Sequence, residues 1–300
     1  MTTTAVLPQV SYDDVIHAIK RNIPTLPKVL EELVQRISDI DSSLESIQSL
    51  IELDQAITSR VLKVSNKVEF LEPDEPRITT VHDALHKIGL EQAKRISLNV
   101  SVLELMENVE FPPTFRFASL WQHSLGVGVA SSVLAEVTGY ENADQAYTCG
   151  LVHDIGKLIK IKFNQEEFCN EVHAAREINL DLHDFELINN CLMHDVLGSK
   201  MMGFWEMPTE LSAVIHYHHI ENRARRAGID SADLHHLIDI VYLANLLVKK
   251  LQIGNSGHSV LKSPSAAFIQ SLNLDEDRLL VIEREILNKF EESASFLSTL

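Results

Sequence analysis

The chain is poor in what usually staples or anchors a protein. Its three cysteines, Cys149, Cys169 and Cys191, are an odd number in 300 residues and show no CxxC spacing. That argues against a disulfide framework and a thiolate zinc site, and leaves free thiols in a reducing compartment. No apolar run approaches the ~18 residues that mark a membrane span. The start, "MTTTAVLPQV", lacks the basic and then apolar regions of a secretory leader, so the expected location is the cytoplasm. Positive charge is also scarce, with 26 Lys and Arg against 43 Asp and Glu and a net charge of −17. Such a field repels phosphate backbones and acidic lipid surfaces, so neither nucleic acid nor membrane is expected as a partner. Alternating runs of β-branched residues are missing too, which removes a sheet from consideration.

What remains is apolar periodicity at helical spacing in a chain with 45% hydrophobic residues, enough to bury a core without staples. Val29, Leu30, Leu33, Val34 and Ile37 form an i, i+3, i+4 stripe. Ser43 offers an N-cap to a helix with Leu44, Ile47, Leu50 and Ile51 on one face, and another helix follows from Ile57 to Lys67. "EFLEPDEPRI" reads as a loop, after which Thr80 caps a helix that Gly89 ends; the next runs from Glu91 to Met106. Pro112-Pro113 in "ENVEFPPTFRF" marks the clearest boundary. Beyond it the spacing predicts helices over 121–138, 143–163, 165–179, 184–203, 208–219 and 235–251, a loop over 256–265 and a closing amphipathic helix over 275–295. The fold class is all-α.

Ten of the fourteen histidines fall between Trp121 and His236. A metal bound by a helical protein draws its ligands from several helices, so the pattern to expect is scattered His and Asp inside apolar segments. His123 in "LWQHSLGVGVA", His153-Asp154 in "GLVHDIGKL", His194 in "CLMHDVLGSKMMGFW" and His218-His219 in "VIHYHHIEN" are such residues. Imidazole nitrogen with carboxylate oxygen suits a divalent transition metal (Fe, Mn, Zn, Co or Ni) and excludes a dedicated calcium site. Neighbours on one helix point about 100° apart, so Asp154 next to His153 could serve two metals at once. His216, His235 and His236 read as structural or solvent-facing, Trp121 and Trp205 as core anchors, Met201, Met202 and Met207 as packing, and "NRARRAG" as a solvated loop.

"HDIGK" after "AYTCGLV" resembles the HD superfamily of metal-dependent phosphohydrolases. The ordered set "IPTLPKVLEELVQRISD", "LIELDQAITSRVLKVSN", "ITTVHDALHKIGLEQAKRISL", "LWQHS", "GLVHDIGKL", "HDVLGSKMMGFWEMP" and "AVIHYHH" is similar to the HDOD branch, bacterial signalling and regulatory domains related to the HD-GYP cyclic-dinucleotide phosphodiesterases. The likeness covers roughly Ile23 to Leu251. It implies an HD-type helical bundle lobe packed with a helical N-terminal lobe, divided as an N-terminal extension or helix (1–22), an N-terminal lobe (23–112), an HD-like lobe with the metal site (113–255) and a C-terminal loop and helix (256–300).

Carried over by position, the resemblance gives one metal His123, His153, Asp154 and the residue at 245, and the second metal Asp154, His194, His218 and His219. The family aspartate is here Asn245, a neutral amide and a poorer ligand. Asp239 stands six residues earlier, about 120° out of phase, and is a poor substitute. "IENRARRAG" stands where "GYP" would follow His218-His219, and Ser119 stands where a third-metal glutamate occurs in some relatives. Asp154 and Lys157 are the candidate catalytic residues, the lysine as a phosphate partner or a charge that stabilises the site.

Three readings follow. The preferred one is a signalling or regulatory protein whose partly degenerate site binds a metal, mononuclear or partly occupied dinuclear, or a nucleotide or other small phosphorylated ligand. It would act through contacts with a signalling protein partner or in a homodimer. An active metal-dependent phosphohydrolase is the alternative, and a scaffold whose histidines only hold the core together is the third; fold resemblance alone does not assign chemistry.

Overall fold

A computed structural model describes residues 11–20, 28–38, 43–67, 76–106 and 115–297. The helix start at Pro27, most of the acidic proline-rich loop and the Pro112-Pro113 boundary lie outside the described residues. Among the described residues there is no strand. The first helices are α1 (Tyr12–Lys20), α2 (Lys28–Ser38), α3 (Leu44–Leu53), α4 (Gln55–Ser65), α5 (Val81–Ile88) and α6 (Leu90–Met106). Local chemistry sets their ends. Ser43 accepts from the Ser46 amide, Asp54 from Ala56 and Ile57, and Thr80 from Asp83; Gly89 ends α5 at φ 84°, where a side chain would be strained. α6 packs on α2, α3, α4 and α5 and forms the middle of this N-terminal lobe.

The second lobe is built on α7 (Phe117–Thr138), α8 (Ala143–Val152), α9 (Ile155–Glu177), α10 (Leu182–Ile188), α11 (His194–Phe204), α12 (Thr209–Tyr217) and α13 (Ala232–Lys250). A short α14 (Ala266–Ser271) and a long α15 (Glu276–Leu297) follow. α7 is apolar nearly all round and buried along its middle, the mark of a core helix, with α8, α13 and α15 packed against it. A single hydrophobic core runs from Leu33 and Ile51 through Leu98 to Val127, Val241 and Ile286, so the two lobes share their interior. Polar contacts join them as well: Arg95 on α6 bonds Asp144 Oδ1 and Ser132 Oγ, and Asn99 bonds the buried Tyr147 hydroxyl at 2.9 Å.

Several expected elements are divided differently. The helix read over 143–163 breaks after Val152, and the one read over 184–203 splits into α10 and α11. At the first break apolar residues on each side, Val152 and Ile155, lie in the same core, so the periodicity continues through it; at the second, Leu187 and Ile188 are apolar but exposed, so the apolar pattern there does not mark a core-facing stripe. α9 in turn runs on through a kink at Asn164 (φ −152°, ψ 88°). "NRARRAG" is exposed, as expected, except for Arg226, which is buried and donates to Asp239 Oδ1 at 2.6 Å and to the Ile220 carbonyl.

Candidate metal centre

The break after Val152 is where the site forms. His153 caps α8 and Asp154 precedes α9, so the two stand at a junction of helices and not on one helix face. The His153 ring helps end α8: its Nδ1 lies 2.7 Å from the Gly150 carbonyl, one of the carbonyls a helix end leaves without an amide. α12 ends the same way, with His218 Nδ1 2.7 Å from the Ile215 carbonyl. His194 opens α11, and His123 lies inside α7. One ligand thus comes from mid-helix and the others from helix ends.

Asp154 presents one oxygen to each of two groups. Its Oδ2 faces His153 Nε2 at 3.4 Å and His123 Nε2 at 3.8 Å; its Oδ1 faces His194 Nε2 at 3.4 Å and His218 Nε2 at 3.6 Å. His219 joins the second group, its Nε2 3.0 Å from His194 Nε2. Within each group, the ligand atoms lie within 4.8 Å of one another. Tetrahedral ligands around zinc stand about 3.4 Å apart. The structure therefore brings together all six of these His and Asp residues, in the two groups expected.

The buried polar atoms test whether a metal fits. Both ring nitrogens of His123, Nε2 of His153 and His218, and Oδ1 of Asp154 are buried without a hydrogen-bond partner. Each such atom costs about 1–3 kcal/mol, a cost that ligation would remove. The tautomers agree. Where Nδ1 meets a carbonyl or a carboxylate it carries the proton, which leaves the Nε2 lone pair directed at Asp154. For His194 the orienting group is Glu186, with Oε2 2.6 Å from Nδ1, and the same oxygen accepts the His194 amide. The residues fit a nitrogen- and oxygen-preferring transition metal.

Electrostatics points the same way. Burial pushes the Asp154 carboxyl up, but Lys157 and the neighbouring imidazoles of His153 and His218 outweigh it and hold the group well below the usual carboxylate range. Burial lowers His123 and His219 far below an ordinary imidazole and brings His218 to about 4. Neutral imidazole beside ionised carboxylate is the protonation state a metal requires.

Lys157 is no surface residue. It is buried, donates to Asp154 Oδ2 at 2.8 Å and bonds Ser256 Oγ at 3.2 Å. Asn245 lies buried on α13 with its side-chain oxygen unpartnered, and Asp239 is held by Arg223 and Arg226, away from any ligand role.

Sequence reasoning passed over several residues of the surroundings. His258 is buried beside His123, ring centroids 5.5 Å apart, and burial brings it to about 4. The turn that delivers it and Ser256 is pinned where the Asn255 amide donates to the Ser119 carbonyl. Gly254 (φ 64°) permits this approach, since a Cβ there would stand 2.3 Å from the backbone nitrogen of His123. His183 stacks on His219 with centroids 4.2 Å apart, and its Nε2 lies 3.3 Å from Asp195. Glu186 shares Lys160 with Glu171.

A two-lobed helical protein with a His-Asp junction of this kind is of the HD type. A model of the HDOD domain matches residues 23–221, more than half of the chain, which belongs to the HDOD family. A protein of Treponema pallidum (strain Nichols), uncharacterized, is 25% identical over 203 residues, which make up 66% of this chain and 38% of that protein. The chain thus spans well under half the length of that curated relative. Among solved structures, an HDOD domain protein with unknown function from Geobacter sulfurreducens superposes with a TM-score of 0.71 at 21% identity, covering 95% of this chain and 94% of its own. A candidate signal transduction protein from Marinobacter aquaeolei VT8 gives 0.75 at 14% identity, covering 99% and 68%. A candidate phosphohydrolase from Shewanella amazonensis SB2B gives 0.63 at 18%, covering 91% and 93%. At these identities the likeness establishes the shared fold. Among the described residues, no helix is long and apolar enough to cross a membrane.

Proposed function

We propose that this protein is a regulatory signalling protein that holds one transition metal between Asp154, His194, His218 and His219 and acts through contacts with a protein partner. The observation that carries the reading is the asymmetry of Asp154. Oδ1 is buried and unpartnered in front of two imidazoles, whereas Oδ2 is bonded to Lys157. On the Oδ2 side the position that the family resemblance gives to a carboxylate is Asn245, so that half holds less negative charge for a second dication.

Burial favours regulation over turnover. His123, His153, Asp154, His194 and His218 are each no more than 3% exposed, His219 alone is partly exposed, and the turn bearing Ser256 and His258 packs over one side. A catalytic metal keeps a position open to substrate and a structural one does not. When bound, the metal supplies Lewis acidity. The chain's own residues hold it and exclude water: Glu186 orients His194, the Gly150 and Ile215 carbonyls orient His153 and His218, and Lys157 balances Asp154.

The second reading is a metal-dependent phosphohydrolase, which the complete His and Asp set and the lysine beside it favour. Metal analysis by plasma mass spectrometry, on protein prepared without a histidine tag or chelator, tests both. About one equivalent, lost in Asp154→Ala, is expected. No metal in either protein would make the histidines purely structural. Hydrolysis of phosphodiesters that disappears in the same variant would favour the enzyme.

A further inference from the structure

α1 comes first among the described residues, ahead of the N-terminal lobe, yet its buried residues belong to the second lobe. Val15 (0% exposed) and Ile16 (7%) form a small cluster with Ile159 on α9 and Leu197 and Met201 on α11, separate from the main core. Tyr12, Phe163, Leu192 and Trp205 border this cluster. α1 therefore lies across the helix that follows Asp154 and the helix that opens with His194. It precedes residues 23–221, the part of the chain that the HDOD model matches.

Two polar contacts fix where it lies. The Tyr12 hydroxyl accepts the amide of Met193 at 3.0 Å, and Asp13 meets Lys200 at 3.1 Å on the outer face of α11. Met193 is the N-cap of α11 and gives it no side-chain cap. The first two amides of this helix end are thus taken by Tyr12 from α1 and by Glu186, which accepts that of His194. Glu186 sets the His194 ring; Tyr12 holds the backbone one residue before it.

We propose that α1 is a positioning element for the metal site, with Tyr12 and Val15 holding α9 and α11 at the spacing that keeps His194 in ligating register with Asp154. The proposal rests on the metal reading above. Because coupling between two events is reciprocal, the metal in turn tightens α1 onto the lobe by the factor that α1 adds to metal affinity. α1 and the buried site are then linked through the packed helices α9 and α11, with no moving domain needed.

The experiment uses the full chain, with Zn²⁺ as probe against a chromophoric chelator, and follows amide hydrogen exchange over residues 12–20. Partners one step removed from a ligand change metal affinity by 10–100-fold; Tyr12 is a further step out, so Tyr12→Phe is expected to weaken Zn²⁺ binding by roughly threefold to tenfold. Val15→Asp, which expels α1, is expected to weaken it further, and Zn²⁺ is expected to slow exchange in α1 of the wild type. A merely structural helix would lower the melting temperature of the metal-free protein and leave Zn²⁺ affinity unchanged. Tight wild-type binding, with both variants within about twofold of it, would overturn the positioning role and leave the metal reading standing. A wild type that binds no Zn²⁺ would overturn both.

Discussion

Gly156 packs so closely beneath the backbone of His194 that a methyl group added to it would stand 1.7 Å from the His194 carbonyl oxygen. Two residues earlier is Asp154, and His194 is one of the imidazoles it faces. The missing side chain is what lets α9 and α11 start side by side. Gly156→Ala must force them apart. It is expected to cost about 3 kcal/mol, the upper part of the usual range for overpacking, and to remove the metal. Urea unfolding with metal analysis of the same sample checks both.

Glu186 holds His194 through both the ring and the amide, and burial, which raises its pKa, is outweighed by His194 and Lys160, which keep the carboxylate ionised. Glu186→Gln keeps the shape and removes the charge. Metal affinity is expected to fall by about 10–100-fold, as for other carboxylates that orient a ligating imidazole. Chelator competition measures it, and affinity equal to wild type would show that Glu186 does not orient the ligand.

By the family resemblance, Asn245→Asp would supply a carboxylate to the His123 and His153 side. Metal content is expected to rise from about one equivalent toward two, with weak phosphodiester hydrolysis appearing alongside. If neither changes, the amide at 245 does not limit the metal content of the site.

Acid should unfold the metal-free protein through its buried imidazoles. His218 and His258 are brought to about 4, in both cases chiefly by burial, whereas in an unfolded chain each protonates near 6.5. Between those values the unfolded state binds more protons, so stability falls as pH falls through the window and levels off below about 4. For His218 alone the loss is on the order of 3 kcal/mol. His218→Gln should flatten the stability curve across this window, as measured by urea unfolding at successive pH values.

The all-helical class and the caps at Ser43, Thr80 and Gly89 were legible because each rests on neighbours in the chain. So were His123, His153, Asp154, His194, His218 and His219, since polar residues inside apolar segments are conspicuous. The break at 153–154 was not legible, because the close contact of Gly156 with His194 belongs to a distant helix. The break at 189–193 did carry a local mark that went unread: Asn190 takes the left-handed conformation (φ 52°) that ends a helix, with the Cys191 amide closing onto the Glu186 carbonyl. Glu186, His183 and His258 belong to the same blind spot as the first break. Their roles depend on residues distant in the chain, as His258 depends on His123 and His183 on His219.

α13 is fastened at two points along its length. Near its start Asp239 is gripped by Arg223 and Arg226, and past Asn245 the ammonium of Lys249 reaches Asp181. A rod keyed twice cannot roll about its axis, so the direction in which residue 245 projects is set by its neighbours rather than by what it is. On the reading proposed above, exchanging amide for carboxylate at that position would alter the charge offered to the metal while the helix, so fastened, kept its place.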